Sequence, residues 1–272
     1  LDCTIRDGGL MNNHNFDFRF VREVYKAISE ANVDYIEIGY KNSKELFSPK
    51  KYGLWKFCDD EDIRKVVDGI ESKTKISVMV DIGRVNIEDV KPASESPVNM
   101  IRVAAYVKDI DKAIFMVNHF AEKGYETTIN IMAISKDQGV ELDEALRQIE
   151  GESKVNVVYI VDSFGNLYQE TTEILVKRFK AILKTREVGF HGHNNQQLAF
   201  SNTIEAIIHN ANYLDATIYG IGRAAGNCPL ELLIGFLKNP KFDIRPILDV
   251  ISHEFIPLSN KIEWGYVIPY AI

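Results

Sequence analysis

The stretch EVGFHGHNN, residues 187–195, ends an apolar run on two histidines, His191 and His193, set two residues apart. Side chains two apart on a strand share a face, so both imidazoles can reach one metal ion from the strand's end. Far upstream, LDCTIRDGG, residues 1–9, reads the same way, as an apolar strand closing on Arg6 and Asp7. Asp7 offers a hard oxygen donor, and Arg6 beside it a fixed positive charge. The fold is whatever brings the ends of two such distant strands together.

Outward from these two stretches, strand alternates with helix. Apolar strands are expected over residues 1–5, 33–39, 76–82, 100–107, 127–134, 155–161, 188–191 and 213–219. Helices are expected over residues 17–31, 59–72, 109–123, 142–149, 169–183, 197–210 and 229–237. Residues 86–96 carry Pro92 and few apolar side chains, so the third βα unit is expected to be degenerate. Continuous apolar strands alternating with helices make a parallel sheet covered on both faces. Eight such units fit a closed (β/α)8 TIM barrel. The competing open sheet usually carries a glycine-rich phosphate turn after its first strand, which RDGGLMNN lacks. No linker, repeat or low-complexity tract interrupts the chain, so residues 1–272 read as a single TIM-barrel domain.

Composition narrows the function. The chain is 46% apolar and 26% charged, ordinary globular material. Its net charge of -7 argues against a nucleic-acid or anionic-membrane partner. No apolar run approaches the ~20 residues of a membrane span. Cys3, Cys58 and Cys228 are few and odd in number, which argues against a disulfide framework and for a reducing cytoplasm. The chain opens on Leu1 inside a strand and ends on the apolar YVIPYAI, so further residues are expected beyond both ends.

Active sites of TIM barrels sit at the C-terminal strand ends. There the pattern gathers Arg6, Asp7, Glu37, Asp81, Asn130, Asp162, Ser163, His191 and His193, with Asn227 in the loop GIGRAAGN after the last strand. Polar side chains in apolar strands are costly unless paired or functional. Two imidazoles, a carboxylate and the Asn227 amide suit a divalent ion, Mn²⁺ or Mg²⁺ first, with Zn²⁺ and Co²⁺ as alternatives. No CxxC exists for structural zinc. The competing reading is one hydrogen-bonded core histidine and one exposed loop histidine.

Arg6 is either a structural ion-pair partner or the group whose fork stabilises an enolate or carboxylate oxygen. Glu37 is either its buried partner or an acid near the substrate. Asp81, Asn130, Asp162 and Ser163 are candidate substrate contacts, with Asp81 and Asp162 equally suited to binding loop amides. His14, in the turn MNNHNF, is either a general base or a turn histidine. Tyr266 and Tyr270 reach the site only if the tail crosses the barrel mouth; packing is the competing role. The loop KNSKELFSPKKYGLWKF, residues 41–57, is either a lid whose Lys50 and Lys51 attract an anionic substrate or a solvated surface loop.

The ordered set TIRDGG, IEIG, HGHNNQQLAFSNTIEAI and GIGRAAGN resembles the HMG-CoA lyase-like, or DRE-TIM, metallolyases, over most of the chain. That superfamily includes 4-hydroxy-2-oxoacid aldolases, HMG-CoA lyase, and the isopropylmalate and homocitrate synthases. The resemblance implies a (β/α)8 barrel whose divalent metal is bound by Asp7, His191, His193 and Asn227. It implies that Arg6 stabilises an enolate and that Glu37 lies near the substrate. It also implies a 2-oxo acid as the small-molecule partner, and a homodimer. The chain departs from the pattern at several positions. Leu10 stands where hydroxy-oxovalerate aldolases place a catalytic histidine. Arg223-Ala224 replaces the Glu-Arg pair of the synthases, and Asn194-Asn195 replaces Asn-Asp. Cys228 follows Asn227, whereas the lyase cysteine precedes it. The expected activity is metal-dependent aldol cleavage of 4-hydroxy-2-oxo acids. A Claisen-type condensation of acetyl-CoA with a 2-oxo acid and a catalytically silent metal-binding barrel are the alternatives.

Overall fold

A computed structural model describes residues 1–266. Seven parallel strands form one sheet in chain order. They are β1 (Tyr35–Tyr40), β2 (Lys75–Asp81), β3 (Met100–Ala105), β4 (Glu126–Ile131), β5 (Val157–Asp162), β6 (Glu187–Gly192) and β7 (Tyr213–Leu214). Helices connect most of them, as a parallel order requires. The helix Phe18–Glu30 shows how the sequence sets one of these: Asp17 caps it by accepting the Phe20 N–H at 2.8 Å, and Val21, Val24 and Ile28 bury its apolar stripe. Between β2 and β3 lie two single 3-10 turns, Ile87–Asp89 and Ala93–Glu95.

The expected first strand, residues 1–5, is corrected to a much shorter element. Asp2 alone bridges, but it bridges both sheet edges, to Ile36 and to Ala216. Its side chain then accepts from the Thr4 N–H at 3.2 Å and the Thr4 hydroxyl at 2.5 Å. That local bonding turns the chain out of the ladder, and Thr4–Gly8 forms a buried helical turn. Arg6 and Asp7 therefore ride on a helical turn rather than a strand end. The expected last strand, residues 213–219, also shortens to Tyr213–Leu214, followed by the 3-10 turn Ile218–Gly220. Beyond residue 237 the structure adds Arg245–Val250 and Ile256–Ser259, helices absent from the sequence-based expectation.

Strand alternation divides the core in two. Ile36, Ile38, Val78, Val80, Ile101, Val103, Ile129 and Ile160 face the helices in the large outer core. The opposite parity faces inward and holds a smaller apolar cluster that includes Met79 and Ala104. Glu37, Asp81, Arg102, Asn130 and His191 share this inward parity. A register shift between Glu37 and Tyr40 lets Tyr40 turn inward as well. Gly189 makes room on the same face: a Cβ there would lie 2.6 Å from the Tyr159 ring.

Candidate metal centre

The inward face opens into a cavity of about 790 Å³ lined by Arg6, Asp7, Tyr40, Asn130, His191 and His193, among others. A neighbouring cavity of about 780 Å³ shares part of its wall, near Tyr106 and Phe164, but none of the four expected ligands.

Donor atoms of Asp7, His191 and His193 lie within 4.8 Å of one another, and all three residues are buried. Asp215 fixes the tautomer of His191. Its carboxylate can only accept, and it sits 2.9 Å from Nδ1, so that nitrogen carries the proton. Nε2 is left facing Asp7, 3.4 Å from Oδ2. Both Asp7 oxygens are buried without a hydrogen-bond partner. Asn227 is fixed in the same manner. Its Nδ2 donates to the Ile221 carbonyl at 3.0 Å, and its Oδ1 is buried and unpartnered. A backbone bridge joins residues 193 and 227 directly. Orphaned buried oxygens are rare unless something binds them. Two carboxylate oxygens and an amide oxygen beside two imidazoles fit a divalent cation.

Electrostatics agree with this donor set. Burial pushes the Asp7 carboxyl up, but Arg6 and His191 outweigh it and hold it well below the ordinary range, so it is ionised. Burial takes His193 down to about 3, leaving a neutral imidazole with a free lone pair. Burial also pushes His191 down, but the carboxylates of Asp215 at 2.9 Å and Asp7 at 3.4 Å prevail and raise it. A proton and a cation thus compete for the gap between His191 and Asp7.

Arg6 stands beside this centre, 6% exposed. Its Nε donates to Glu37 at 2.6 Å, and Nη1 lies 3.3 Å from Asp7. Glu37 is therefore brought to Arg6 as a buried ion-pair partner. Asp81, Asn130 and Ser163 line the cavity. Asp162 has the outward parity of Ile160, and its carboxylate accepts the N–H groups of Asn166 and Leu167 at 3.2 and 3.1 Å. His14 is buried with Nδ1 unpartnered, edge-on to Tyr40 at 5.3 Å. Burial, then Lys56 and Arg6, lower it to about 3. Lys50 and Lys51 are exposed, and the loop lysine that turns inward is Lys56. Tyr266 is 68% exposed, and Tyr270 lies outside the described residues.

Sequence reasoning missed Arg102 and Asp215. Arg102 is fully buried, 2.5 Å from Asp215, 3.0 Å from Glu37 and 4.4 Å over the Tyr159 ring. It joins the carboxylate that holds Arg6 to the one that holds His191. The available signal was an arginine inside the apolar strand MIRVAA, unaffordable without partners.

Gly222 lies close against the expected fourth ligand: a Cβ there would lie 2.2 Å from Asn227 Nδ2. Gly222→Ala is expected to displace that amide and weaken metal affinity by about tenfold or more, the usual effect of disturbing a ligand's support. Competition titration with a metal indicator measures it, and an unchanged affinity excludes Asn227 as a ligand.

An α/β fold with a parallel sheet and a buried nitrogen–oxygen donor set at the mouth of its inner face defines a metal-binding enzyme class. The chain belongs to the HMGL-like family, whose profile matches residues 1–253. It is 32% identical to the 4-hydroxy-2-oxovalerate aldolase of Thermus thermophilus over 264 residues, which is 96% of this chain and 75% of that protein. Among solved structures it resembles the N-terminal domain of a protein assigned as an aldolase from Bacteroides vulgatus. The TM-score is 0.84 at 30% identity, covering 99% of this chain and 90% of that one. Hydroxymethylglutaryl-CoA lyase from Pseudomonas aeruginosa shares the fold, with a TM-score of 0.73 at 17% identity over 95% and 92% of the two chains. No described helix is long and apolar enough to cross a membrane.

Proposed function

We propose that this chain is a divalent-metal-dependent aldolase that cleaves or forms 4-hydroxy-2-oxo acids, with Asp7, His191, His193 and Asn227 as ligands and Mn²⁺ or Mg²⁺ as the preferred ion. The observation that carries the reading is the convergence of donor atoms from Asp7, His191 and His193 within 4.8 Å, beside Arg6 at the cavity, with both Asp7 oxygens lacking a hydrogen bond. In this reading the fold is a (β/α)8 barrel. Residues 1–3 supply its first strand, and the unit between β2 and β3 has turns in place of its helix.

A bound divalent ion would act as a Lewis acid towards the carboxylate and keto oxygens of the 2-oxo acid. Arg6, held rigid by Glu37 and Asp7, takes up negative charge growing on the enolate oxygen. The substrate's 4-hydroxyl gives up its proton, the C3–C4 bond breaks, and its electron pair passes into the enolate. An aldehyde leaves, and protonation at C3 completes the 2-oxo acid. Asp81, Asn130 and Ser163 line the space for the rest of the substrate, and Asp162 shapes the loop behind it.

His14 and a cavity water are the proton acceptors within this reading. At about 3, His14 is neutral at pH 7, so its imidazole is free to accept a proton, though as a weaker base than an ordinary histidine. His14→Ala is expected to lower kcat by about a hundredfold or more if the imidazole is the base; a loss of less than about tenfold assigns the proton to water instead. The function itself is tested by hydrogen exchange at C3 of pyruvate in D₂O and by condensation of pyruvate with a panel of aldehydes, both with Mn²⁺ added. Exchange and condensation are expected. Neither occurring with any aldehyde rejects the aldolase.

A further inference from the structure

Lys56 ends the 3-10 turn Leu54–Lys56, which is anchored by Trp55, whose indole donates to the Phe16 carbonyl at 2.8 Å. It lines the cavity although only 6% of it is exposed. Three aromatic rings surround its ammonium: Tyr40 at 4.5 Å, Phe47 at 4.7 Å and Tyr52 at 5.6 Å. Among the described residues no carboxylate lies within ion-pair distance of it. A buried ammonium without a counter-charge is costly, and ring faces compensate only in part.

The other cations of the cavity differ. Arg84 is paired with Asp81 at 3.1 Å, Lys112 with Asp109 at 2.8 Å, and Arg6 with Glu37 at 2.6 Å. Arg223 donates to the Ser163 carbonyl at 3.0 Å. Lys56 is thus a charge held in place by rings in the wall of the cavity. Its charged neighbours are Asp81 and Arg84, at the end of β2. Arg6 and Asp7 line the same cavity, and the Tyr40 phenol stands in the fields of Arg6, Asp81 and Asp7.

We propose that Lys56 recognises a second carboxylate on the substrate, carried by the aldehyde half, so that the aldehyde partner is an oxo-carboxylate rather than a neutral alkyl aldehyde. This rests on the aldolase reading and sharpens its substrate class. Arg6, Tyr40 and Lys56 line one cavity, so a 2-oxo acid bound at Arg6 has room to extend its far end to Lys56. A carboxylate there would supply the counter-charge that the protein withholds. A single ammonium matches a carboxylate better than a phosphate, which is usually met by several donors at once. The aromatic faces favour the charged amine, whereas burial lowers its pKa from the usual lysine range.

Calorimetric titration of the Mn²⁺-loaded chain tests this without turnover. Two dicarboxylates, 2-oxoglutarate and 2-oxoadipate, are compared with their terminal-methyl counterparts, 2-oxopentanoate and 2-oxohexanoate. At least one dicarboxylate is expected to bind about tenfold tighter than its counterpart, about 1.4 kcal/mol, and Lys56→Met is expected to bring that ratio close to one. Equal affinities within both pairs, or a preference that survives Lys56→Met, overturn the proposal and leave the aldolase standing. The wild-type pairs decide the matter even if the variant does not fold. Failure of all four acids to bind removes the 2-oxo acid reading and this inference together.

Discussion

Asp7→Ala is expected to abolish metal binding and to lower aldolase turnover by about a thousandfold or more, since a Lewis-acid ion supplies several kcal/mol to a developing enolate. The loss is expected without a loss of fold. In the metal-free protein both Asp7 oxygens are buried without a hydrogen bond, and the carboxylate is ionised with Arg6 at 3.3 Å and His191 at 3.4 Å. Those neighbours hold its pKa below the ordinary carboxylate range, so at neutral pH the ionised group adds stability that partly offsets the cost of burying it. Removing it leaves Arg6 paired with Glu37 at 2.6 Å and His191 paired with Asp215 at 2.9 Å. The melting temperature of the metal-free variant should therefore fall only modestly below that of the metal-free parent, with the chain still folded. Mn²⁺ should raise the parent's melting temperature through linkage and leave the variant's unchanged. His191→Ala should also lose metal and turnover. Elemental analysis and differential scanning calorimetry together read both effects. Retained metal in either variant contradicts the ligand assignment, and a collapsed metal-free Asp7→Ala contradicts the view that this carboxylate serves binding rather than folding.

What could be read beforehand followed from periodicity, and what could not followed from contacts made far along the chain. The β6 stretch Glu187–Gly192 has an alternation that fixes His191 inward whatever surrounds it. Residues 1–5 alternate too, yet the Asp2–Thr4 hydrogen bonds divert the chain after three residues. Side-chain capping of that kind competes with a ladder in ways an apolar pattern does not register. Asp162 was grouped with the site because it ends a strand, but parity sends it to the back, where it binds loop amides. Asp215 lay inside what reads as an eighth strand, and its partner Arg102 is 113 residues earlier. No local rule pairs them. Lys56 looks like one more lysine in a basic loop, and only the folded loop distinguishes it from Lys50 and Lys51.

Arg102→Met is expected to destabilise the protein by about 3–5 kcal/mol, the usual cost of removing one member of a buried ion network. That is a large share of the roughly 5–15 kcal/mol that holds a domain folded. Asp215 would keep His191 and Glu37 would keep Arg6, but each carboxylate would lose a charged neighbour at 2.5 and 3.0 Å respectively, in a fully buried setting. Urea unfolding measures the change, and a loss below about 1 kcal/mol would show that Arg102 bears little of the charge balance. The double variant Arg102→Met, Asp215→Leu separates two roles of the same pair. With both charges gone and apolar bulk in their place, stability is expected to recover most of the way, as buried ion pairs replaced by hydrophobic groups commonly do. Metal affinity is expected to remain about 10–100-fold below that of the parent, because nothing then fixes the Nδ1 proton of His191 and aims Nε2 at Asp7. Recovery of stability and affinity together would make the network structural only. Stability without affinity makes Asp215 a positioning residue, with Arg102 as the counter-charge that keeps it ionised beneath the centre.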